Sequence, residues 1–412
     1  MDDPSYLPRH AASLLKRALE AFPVVVLMGA RQTGKSTLAR TEPFLADRLY
    51  LTLDDPETHE RARAAPRDLV RTAPRLTLDE VQREPDLLLA VKRAVDEDRP
   101  RRSGRFLLTG SANLLLMQRV SETLAGRAAY VNLWPLSRRE LLGRGTPGIW
   151  SRLLATRVVD WPDLFESPHE EVAADWRTEV RASGYPTPAM ELGGDDARSL
   201  WFDGYVRTYL ERDLQSLSAV GNLVDFRRLM RTASQRLGGL LNQADIGRDL
   251  QLPRTTVQRH LNLLETSFQL VRLPPYSVNR SKRLVKSPKL YWSDPALALW
   301  LSGASAVAGE HLENLVLLDL LVWRDGQAPA PEVLFWRTTT DREVDFVVEA
   351  GGRLLAIEVK AAATPGLADT RGLRLFREEY PDRFAGALLL HGGSDTQWMA
   401  EGVLGVPWWR VL

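Results

Sequence analysis

The stretch that decides the fold is Val24-Val-Val-Leu-Met-Gly29-Ala-Arg-Gln-Thr-Gly34-Lys35-Ser36. Its first five residues form an apolar, largely β-branched run, which is typical of a strand buried inside a parallel sheet. The residues after this run follow the spacing G-x-x-x-x-G-K-S, the pattern of a loop whose backbone N–H groups close around phosphate. The stretch therefore predicts a nucleoside triphosphate site at the end of a buried strand.

The residue types in this loop match the parts of a nucleoside triphosphate. Lys35 is expected to reach the terminal phosphates, and the hydroxyl of Ser36 is expected to bind Mg²⁺. The backbone around them would surround the phosphate oxygens at the start of the next helix. We therefore predict ATP and Mg²⁺ as ligands. The expected nucleotide contacts are Gly29, Arg31, Gln32, Thr33, Gly34, Lys35, Ser36 and Thr37.

Two later apolar runs end in polar residues, as strands of the same sheet would. Leu76-Thr-Leu-Asp79-Glu80 is a Walker B pattern, in which Asp79 holds the Mg²⁺ shell and Glu80 orients or deprotonates the attacking water. The run Phe106-Leu-Leu-Thr-Gly-Ser111 ends in small polar residues, and Ser111 is the candidate that senses the γ-phosphate. Alternation of such runs with helical stretches predicts a parallel α/β sheet.

The composition excludes several classes of protein. The chain has 412 residues, a net charge of +1 and no cysteine, so it has no disulfide, thiolate metal site or cysteine nucleophile. The best apolar candidate for a membrane span, 315–323, is short and interrupted by Asp319. We expect a cytoplasmic protein without membrane spans, with about three domains of roughly 150 residues each. With so little net charge, contacts to nucleic acid would have to come from a local basic patch.

Residues 124–141 extend the ATPase interpretation. The sequence Leu-Ala-Gly-Arg127, a strand, and then Pro135-Leu-Ser-Arg-Arg-Glu140-Leu resembles the AAA+ family of bacterial and archaeal ATPases. The resemblance implies that Arg127 acts as a charge-stabilising finger in the site of a neighbouring subunit, with Arg119 as the rival candidate. Hydrolysis would then need a homo-oligomer. A solvated arginine at a helix end is the alternative that the sequence leaves open.

The middle of the chain carries fewer chemical signals. Residues 143–196 are interrupted by Gly and Pro, and they predict a lid and connecting loops without chemistry. Apolar and aromatic residues at helical spacing predict an amphipathic lid helix over 202–217, in which the tyrosines belong to the core. From Leu241 onward, a helix, a turn at Pro253 and a second helix beginning at Thr255 or Thr256 follow helix-turn-helix spacing.

A basic segment follows the second helix and predicts a β-wing over 275–291. Five basic residues, among them three of the seven lysines of the chain, fall within ten positions of this segment. Together with the exposed face of the second helix, they are suited to contact the phosphates of DNA. The candidate nucleic-acid contacts are Arg259, Arg280, Lys282, Arg283, Lys286 and Lys289. A winged helix that joins domains or binds a protein partner stays open as the alternative.

Two runs of alternating apolar and polar residues flank a Gly-Gly pair at 351–352, which is typical of a hairpin with a two-residue turn. The register of such a hairpin places Asp345 opposite Glu358 and Glu343 opposite Lys360, with all four on one face. The other face would be apolar, with Val344, Phe346, Ile357 and Val359. Facing carboxylates repel each other unless a cation lies between them, so the sequence predicts a divalent metal at this place.

The order of these residues, an Asp followed by Glu-x-Lys across a hairpin, resembles the PD-(D/E)xK nuclease superfamily. The resemblance implies that Asp345 and Glu358 hold Mg²⁺ or Mn²⁺ and that Glu313, from a preceding helix, completes the metal shell. It also implies that Lys360 assists the hydrolytic water. Val344 replaces the proline of the motif. A nuclease-like fold that retains its acids for stability or binding, without cleavage, is the alternative.

The chain as a whole resembles bacterial ATP-binding proteins that join an AAA ATPase to a C-terminal DUF4143 domain. The predicted fold is α/β and multidomain. We expect an AAA+ parallel-sheet core over 1–140, a helical lid and connector over 141–235, a winged helix over 236–295 and a restriction-endonuclease-like domain over 296–412. The function expected from the resemblance is an oligomeric Mg²⁺-dependent ATPase whose cycle regulates a DNA-directed nuclease-like domain. The alternative is a nucleotide-driven switch or remodelling module whose inactive C-terminal domain binds DNA or protein.

Overall fold

The protein is described by a computed structural model over residues 6–98, 100–110, 122–146, 148–165, 173–210 and 223–412. The strands in these ranges are β1 (Val24–Met28), β2 (Leu49–Thr52), β3 (Leu76–Asp79), β4 (Phe106–Thr109), β5 (Ala128–Asn132), β6 (Leu270–Leu273), β7 (Lys289–Trp292), β8 (Glu332–Arg337), β9 (Glu343–Ala350), β10 (Arg353–Lys360), β11 (Phe384–His391), β12 (Gln397–Ala400) and β13 (Val403–Pro407).

The α-helices of the described ranges are α1 (Ala11–Ala21), α2 (Lys35–Thr41), α3 (Pro56–Ala64), α4 (Pro66–Leu69), α5 (Leu87–Glu97), α6 (Arg138–Leu141), α7 (Trp150–Ala155), α8 (Trp176–Ala182), α9 (Asp195–Tyr205), α10 (Leu223–Ser234), α11 (Gln243–Leu250), α12 (Arg254–Thr266), α13 (Arg280–Val285), α14 (Pro295–Ser302), α15 (Gly309–Asp325) and α16 (Arg371–Glu379). Short 3₁₀ and π-helical turns connect several of them.

The first five strands form one parallel sheet in the order β2-β3-β4-β1-β5. β1, β3 and β4 are buried along their whole length, since α1 and α2 pack on one face of the sheet and α5 packs on the other. The predicted parallel α/β core is therefore confirmed. Because the carboxyl ends of parallel strands meet at one edge, the residues that follow β1, β3 and β4 lie close together.

The middle of the chain is helical, with one difference from the prediction. The helix predicted over 202–217 is divided: α9 ends at Tyr205 and a π-helical turn, Val206–Leu210, follows it. Residues 211–222 lie outside the described ranges. The two helices predicted around Pro253 are α11 and α12. α12 begins at Arg254, just before the predicted start, because proline presets the backbone angle at the entry to a helix.

The segment predicted as a β-wing contains a helix. β6 and β7 pair in antiparallel orientation, as the strands of a wing would. The residues between them include α13, whose first turn is capped by Asn279, since the side chain of Asn279 accepts a hydrogen bond from the N–H of Ser281 at 3.0 Å. The prediction of a plain β-wing is therefore wrong at α13, because an Asn cap favours a helix start.

The C-terminal strands form a mixed sheet in the order β12-β13-β11-β10-β9-β8. The predicted hairpin joins β9 to β10, and both turn glycines have positive φ, 56° at Gly351 and 82° at Gly352. Glycine adopts this left-handed conformation without the strain that a Cβ atom would cause. The hairpin is confirmed, and its ladder runs from the pair Ala350–Arg353 to the pair Phe346–Ile357 in the predicted register.

The ladder does not continue to Asp345, because β9 contains a bulge at this point. Opposite β8, the partner of Leu334 is Val347 and the partner of Trp336 is Val344, so β9 has one residue more than β8 in between. The carboxylate of Asp345 accepts the N–H of Val359 at 2.9 Å, in place of a backbone partner. A bulge re-aims the side chains around it.

The bulge also corrects the predicted apolar face of the hairpin. Phe346, Ile357 and Val359 pack in the large core that contains α15. Val344 instead packs on the opposite face of the sheet, in the cluster formed with α16. An extra residue shifts the alternation of a strand by one, and this shift separates Val344 from the other three.

We define the middle segment as residues 141–295 within the described ranges. This segment and the C-terminal sheet share one hydrophobic core, which includes buried residues of α7 to α12, α14 and α15. The first sheet also contacts the C-terminal domain. Trp134 Nε1 and Asn132 Nδ2 donate hydrogen bonds to Asp325 at the end of α15, at 2.7 and 3.0 Å. The predicted α/β multidomain architecture is confirmed. No helix within the described ranges is long and apolar enough to cross a membrane.

Candidate functional site

The loop after β1 has a backbone that depends on its glycines. A Cβ atom at Gly29 would lie 2.2 Å from the carbonyl oxygen of Leu133, so a side chain does not fit there. Gly34 and Gln32 have positive φ angles of 91° and 61°. The side chain of Thr33 is fully buried and closes the loop by donating to the carbonyl of Ala30 at 3.0 Å. The spacing of the motif therefore reflects the steric needs of a tight loop.

Lys35 is buried inside this loop at the start of α2. Its Nζ donates to the carbonyl oxygens of Ala30 at 2.6 Å and Gly29 at 3.2 Å. Burial lowers the pKa of Lys35 to about 8, and the nearby carboxylates of Glu80 and Asp79 offset part of this effect. The ammonium is thus bonded to neutral acceptors in a poorly solvated place, where an anion such as phosphate would stabilise it.

Asp79, at the carboxyl end of β3, is the hub of this edge of the sheet. It is buried and accepts hydrogen bonds from Ser36 Oγ at 3.2 Å, from Thr109 Oγ1 and from the hydroxyl of Tyr50. Sequence reasoning missed the last two residues. Thr109 ends β4 two positions before Ser111, whereas Tyr50 on β2 has no sequence signal. An acidic group and a hydroxyl at one place form an all-oxygen donor set, which fits Mg²⁺.

Glu80 follows Asp79 in a left-handed backbone conformation, with φ 58° and ψ 40°. Gln82 donates to its carboxylate through Nε2. Burial raises the pKa of Glu80, while the ammonium of Lys35 acts in the opposite direction. A buried carboxylate of raised pKa is a stronger base than a solvated one.

Two side chains that sequence reasoning missed hold the loop from outside. Arg9, 5% exposed, donates to the carbonyl of Thr33 through Nη1 and to the carbonyl of Trp134 through Nη2, each at 2.7 Å. Its Nε pairs with the carboxylate of Glu140 at 3.1 Å. Tyr205, at the end of α9, donates its hydroxyl to the carbonyl of Arg31 at 3.3 Å. Neither contact could be read from local sequence, because each joins segments more than twenty residues apart.

The structure does not bring Arg127 to this site. Its carbonyl accepts the N–H of Val24 at the first residue of β1, so it lies at the opposite edge of the sheet from the loop. Its guanidinium pairs with both oxygens of Asp96, at 2.7 and 3.0 Å. Gln32 in the loop and Thr37 in the first turn of α2 are exposed. Ser111 and Arg119 lie outside the described ranges.

A buried network of hydrogen bonds leads from the loop into the middle segment. The hydroxyl of Tyr205 accepts from Gln269 Nε2 at 2.9 Å, and Gln269 Oε1 accepts from the hydroxyl of Tyr185 at 3.2 Å. The carbonyl of Gln269 accepts the N–H of Ser293, next to the end of β7, at 2.9 Å. Asp294, which caps α14, accepts the N–H of Gly184 at 2.6 Å.

β7 continues this connection toward the C-terminal domain. The backbone of Trp292 exchanges two hydrogen bonds with the side chain of Asn314 on α15, at 3.0 and 2.7 Å. The hydroxyl of Tyr291 donates to Glu313 Oε2 at 3.0 Å. We define the C-terminal acid cluster as Glu313, Glu343, Asp345 and Glu358. β7 therefore connects the hydrogen-bond network beside Ser293 to this cluster.

The structure brings the predicted C-terminal residues together. Asp345 and Glu358 are 6% and 8% exposed, and Lys360 Nζ pairs with Glu358 Oε1 at 2.6 Å. Glu313 lies on α15 within electrostatic reach of Asp345 and Glu358. Lys289 Nζ pairs with Glu343 and lies 3.4 Å from Asp345 Oδ1.

Charge and burial set the protonation of this cluster. Burial raises the pKa of Glu313 to about 8 and raises the pKa of Glu358 well above its usual value, and the charge of Asp345 adds to both shifts. Burial alone would lower the pKa of Lys289, but the carboxylates of Asp345, Glu313 and Glu343 raise it overall. The cluster therefore retains a proton on its acids and keeps Lys289 charged.

The cluster does not fit the metal that the sequence predicts. Among the described residues, no three His, Asp or Glu side chains are arranged so that they could hold a metal ion. Lys289 supplies the cation between the facing acids. The prediction of a metal held by Glu313, Asp345 and Glu358 thus finds its ligands close together, but around an ammonium group.

Two of the predicted nucleic-acid contacts are buried in ion pairs. Lys289 is 3% exposed in the acid cluster. Arg283 is 6% exposed, pairs with Glu332 and Glu349 at 2.6 Å each, and lies over the ring of Tyr276. Both predictions are wrong in the described conformation, because the acids that neutralise these cations lie far away in the sequence. The remaining candidates, Arg259, Arg280, Lys282 and Lys286, are exposed.

Three families match the chain: an AAA domain over residues 21–142, a domain of unknown function (DUF8612) over 173–308, and a domain of unknown function (DUF4143) over 308–411. An uncharacterized protein of Mycobacterium tuberculosis, Rv2008c, is 30% identical over 413 residues, covering 98% of this chain and 84% of its own length. An uncharacterized protein of Haemophilus influenzae is 22% identical over 283 residues, covering 67% of this chain and 64% of its own.

Two solved structures are similar to this chain in part. The Walker-type ATPase of Pyrococcus abyssi matches with a TM-score of 0.45 and 15% identity, covering 71% of this chain and 94% of its own. A RuvB variant of Thermotoga maritima matches with a TM-score of 0.30 and 17% identity, covering 67% of this chain and 94% of its own.

Proposed function

This chain belongs to the family of AAA-domain ATPases that carry a C-terminal DUF4143 domain, and we propose that it works as an Mg²⁺-dependent, nucleotide-driven switch. The observation that carries the proposal is the nucleotide loop itself. The loop that would hold the phosphates is bonded on its carbonyls by Arg9 from the N-terminal segment and by Tyr205 from the middle segment. A movement of the loop on nucleotide binding would therefore shift the contacts of both segments.

The residues of the first site have separate tasks in hydrolysis. Lys35 exchanges its carbonyl acceptors for the terminal phosphate oxygens and stabilises the charge that develops on them. Ser36 and Asp79 would hold Mg²⁺, which supplies charge neutralisation at the phosphates. Glu80 accepts a hydrogen bond from the attacking water, orients it and takes up its proton.

The transmitting element in this proposal is the network that begins at Tyr205. It joins the carbonyl of Arg31 to Gln269, and the backbone of Gln269 holds Ser293 beside β7. β7 in turn contacts α15 of the DUF4143 domain. Coupling requires a physical contact chain with two arrangements, and this is the continuous buried chain that we infer carries it.

Hydrolysis in this proposal takes place in a homo-oligomer. Arg127 cannot reach the phosphates of its own subunit, since it lies beside the start of β1. It is on the surface of the domain, paired with Asp96, where a neighbouring subunit could present its own site. Removal of a finger that acts in trans lowers the rate by orders of magnitude without loss of nucleotide binding.

The nucleic-acid interface in this proposal is formed by exposed cations of α12, of α13 and of the residue after α13, namely Arg259, Arg280, Lys282 and Lys286. Contacts to phosphate weaken steeply with salt, whereas apolar contacts to a protein partner do not. Binding of DNA across a salt series, with Lys282→Ala and Lys286→Ala together as the variant, therefore distinguishes a DNA partner from a protein partner.

The experiment that tests the ATPase uses two variants that fail in different ways. We expect Lys35→Ala to lose nucleotide binding and hydrolysis together. Glu80→Gln should retain ATP binding and lose turnover by at least about 10²-fold, since only the water is affected. Equilibrium binding of a fluorescent ATP analogue and phosphate release are measured on each variant. Hydrolysis retained in both variants would show that the site is assigned wrongly.

Cleavage of DNA by the C-terminal domain is the alternative to a switch, and it is tested separately. Linear and branched DNA are incubated with Mg²⁺ or Mn²⁺ and ATP, using the wild type and Glu358→Gln. The switch predicts no cleavage by either protein. Cleavage by the wild type that Glu358→Gln abolishes would replace the switch by an ATP-regulated nuclease.

A further inference from the structure

Lys289 has an unusual environment for a residue from a basic surface segment. It is the first residue of β7, is 3% exposed, and pairs with Glu343 and with Asp345 from β9. Its ammonium also lies 5.8 Å from the centre of the Phe335 ring. A lysine is almost never fully buried unless its charge is paired. Lys289 is therefore an internal counter-ion of these carboxylates and not a surface residue.

Four of the carboxylate oxygens that a divalent metal could use already face donors. Asp345 Oδ2 accepts the N–H of Val359 at 2.9 Å, and Asp345 Oδ1 faces Lys289 at 3.4 Å. Glu358 Oε1 accepts from Lys360 at 2.6 Å, and Glu313 Oε2 accepts from Tyr291 at 3.0 Å.

Glu358 Oε2 is buried without a hydrogen-bond partner in the described part of the chain. This oxygen could therefore contact a metal ion, and variants of Glu358 test whether one binds. A proton on this buried carboxyl is the other way to neutralise it.

The cluster already contains cations that face its carboxylates. Lys289 pairs with Glu343 and Asp345, and Lys360 pairs with Glu358. Arg337 lies 3.4 Å from Glu343 and also pairs with Asp341 at 2.8 Å. A divalent ion in this arrangement would lie beside the buried ammonium of Lys289, where two like charges repel each other.

We propose that Lys289 is the resident cation of the C-terminal acid cluster and takes the place that a divalent metal has in PD-(D/E)xK nucleases. The ion pairs of Lys289 attach β7 to β9, and thus the middle segment to the DUF4143 sheet. The ion pairs of the cluster then hold the middle segment against the DUF4143 sheet. The inference does not rest on the proposed switch, because none of its contacts involves the nucleotide site.

The first experiment measures metal binding by the wild-type, full-length protein. Mn²⁺ is titrated without nucleotide and followed by electron paramagnetic resonance, with Glu358→Gln and Asp79→Asn as variants. We expect the wild type and Glu358→Gln to bind the same amount of Mn²⁺, and any bound ion to be lost in Asp79→Asn. A Mn²⁺ that is lost in Glu358→Gln and retained in Asp79→Asn would overturn the proposal.

The second experiment removes the lysine and asks whether a metal can replace it. Lys289→Met should lower the midpoint of thermal unfolding by about 5–10 °C, because it leaves buried acids without their counter-ion. Lys282→Met, an exposed lysine of the same segment, is the matched control and should leave the midpoint unchanged.

A third measurement asks whether Mn²⁺ can supply the positive charge that Lys289→Met removes. Mn²⁺ should recover much of the lost stability in Lys289→Met but none in the double variant Lys289→Met with Glu358→Gln. An unchanged midpoint in Lys289→Met, or recovery by Mn²⁺ that is the same in both variants, would contradict the proposal. If Lys289→Met does not fold, the Mn²⁺ titration of the wild type decides.

Discussion

Two buried lysines, Lys35 in the nucleotide site and Lys289 in the acid cluster, lie beside carboxylates and yet have opposite properties. The ammonium of Lys35 is bonded to two neutral carbonyl oxygens, and its burial lowers its pKa to about 8. The ammonium of Lys289 is paired with carboxylates, which raise its pKa despite its burial. A lysine on neutral acceptors is available to an incoming anion, whereas a lysine on carboxylates is already neutralised. Burial beside acids therefore does not by itself mark a ligand site.

The two lysines should differ most in their effect on ATP hydrolysis. Lys35→Ala should lower kcat/KM for ATP by at least about 10²-fold, because it removes the charge that stabilises the transferred phosphate. Lys289→Met should leave kcat/KM within about threefold of the wild type, since it affects only the stability of the C-terminal cluster. Phosphate release and thermal unfolding are measured on the same preparations. Equal losses of kcat/KM in the two variants, with Lys289→Met still fully folded, would contradict the separation of roles.

The next effect is the pH dependence of ATP binding. Free Lys35, with a pKa of about 8, loses its proton as the pH rises through that value, so a growing share of the protein must take up a proton to bind phosphate. The affinity for ATP should be constant below about pH 7 and fall by up to about tenfold per pH unit above pH 8. Isothermal titration between pH 6.5 and 9.5 measures it, in buffers of different ionisation enthalpy that reveal the proton uptake. Affinity that is flat across this range would show that Lys35 stays charged in the free protein.

The extent to which the two regions were predictable differs for a physical reason. The nucleotide loop is continuous in sequence, and its spacing reflects local sterics at Gly29 and Gly34, so local reasoning found it. The hairpin register also follows from a local turn and was predicted correctly up to the pair Phe346–Ile357. The bulge at Asp345 depends on how β9 pairs with β8, a relation that the turn does not determine.

Long-range partners account for the remaining differences. The basic segment 280–289 looks uniform in sequence, but Arg283 and Lys289 meet acids 49 to 66 residues away and become buried. Arg9 and Tyr205 hold the nucleotide loop from distant segments for the same reason. Sequence patterns therefore identified which residues carry charge, and only the packing of the chain shows which of these charges are neutralised internally.

The acid cluster should also make the stability of the fold depend on pH. The pKa of Glu313 is raised by burial to about 8 in the folded protein. Below about pH 4.5 both the folded and unfolded states hold this proton. Between about pH 4.5 and 8 only the folded state does, so unfolding releases a proton and a rise in pH destabilises the fold. Above about pH 8 both states have lost the proton, and the free energy of unfolding no longer falls through this group.

Glu313→Gln removes this titration and is expected to flatten the pH profile. From pH 5 to pH 9 the free energy of unfolding should fall less in the variant than in the wild type, by about 2 kcal/mol. Chemical denaturation at a series of pH values measures the difference, with Glu310→Gln, an exposed acid on the same helix, as the matched control. Parallel profiles for wild type and Glu313→Gln would mean that Glu313 titrates alike in both states.

A further variant tests the connection between the nucleotide loop and the C-terminal domain. Tyr205→Phe removes the hydroxyl that joins the nucleotide loop to Gln269. Each of its hydrogen bonds to these two partners is expected to contribute about 0.5–1.5 kcal/mol. We expect a few-fold change in ATP affinity and a weaker response of the C-terminal domain to ATP. Hydrogen exchange of β7, with and without a non-hydrolysable ATP analogue, reports that response directly.

Tyr276→Phe is the matched control for this variant. Tyr276 is also buried, and its hydroxyl accepts a hydrogen bond from Arg383 at 2.9 Å, but it makes no contact with the nucleotide loop within the described residues. ATP should slow exchange in β7 of the wild type and of Tyr276→Phe, and should do so less in Tyr205→Phe. A response that is the same in all three proteins would show that the two regions are connected by another route, because the loop would then reach β7 without the Tyr205 hydroxyl.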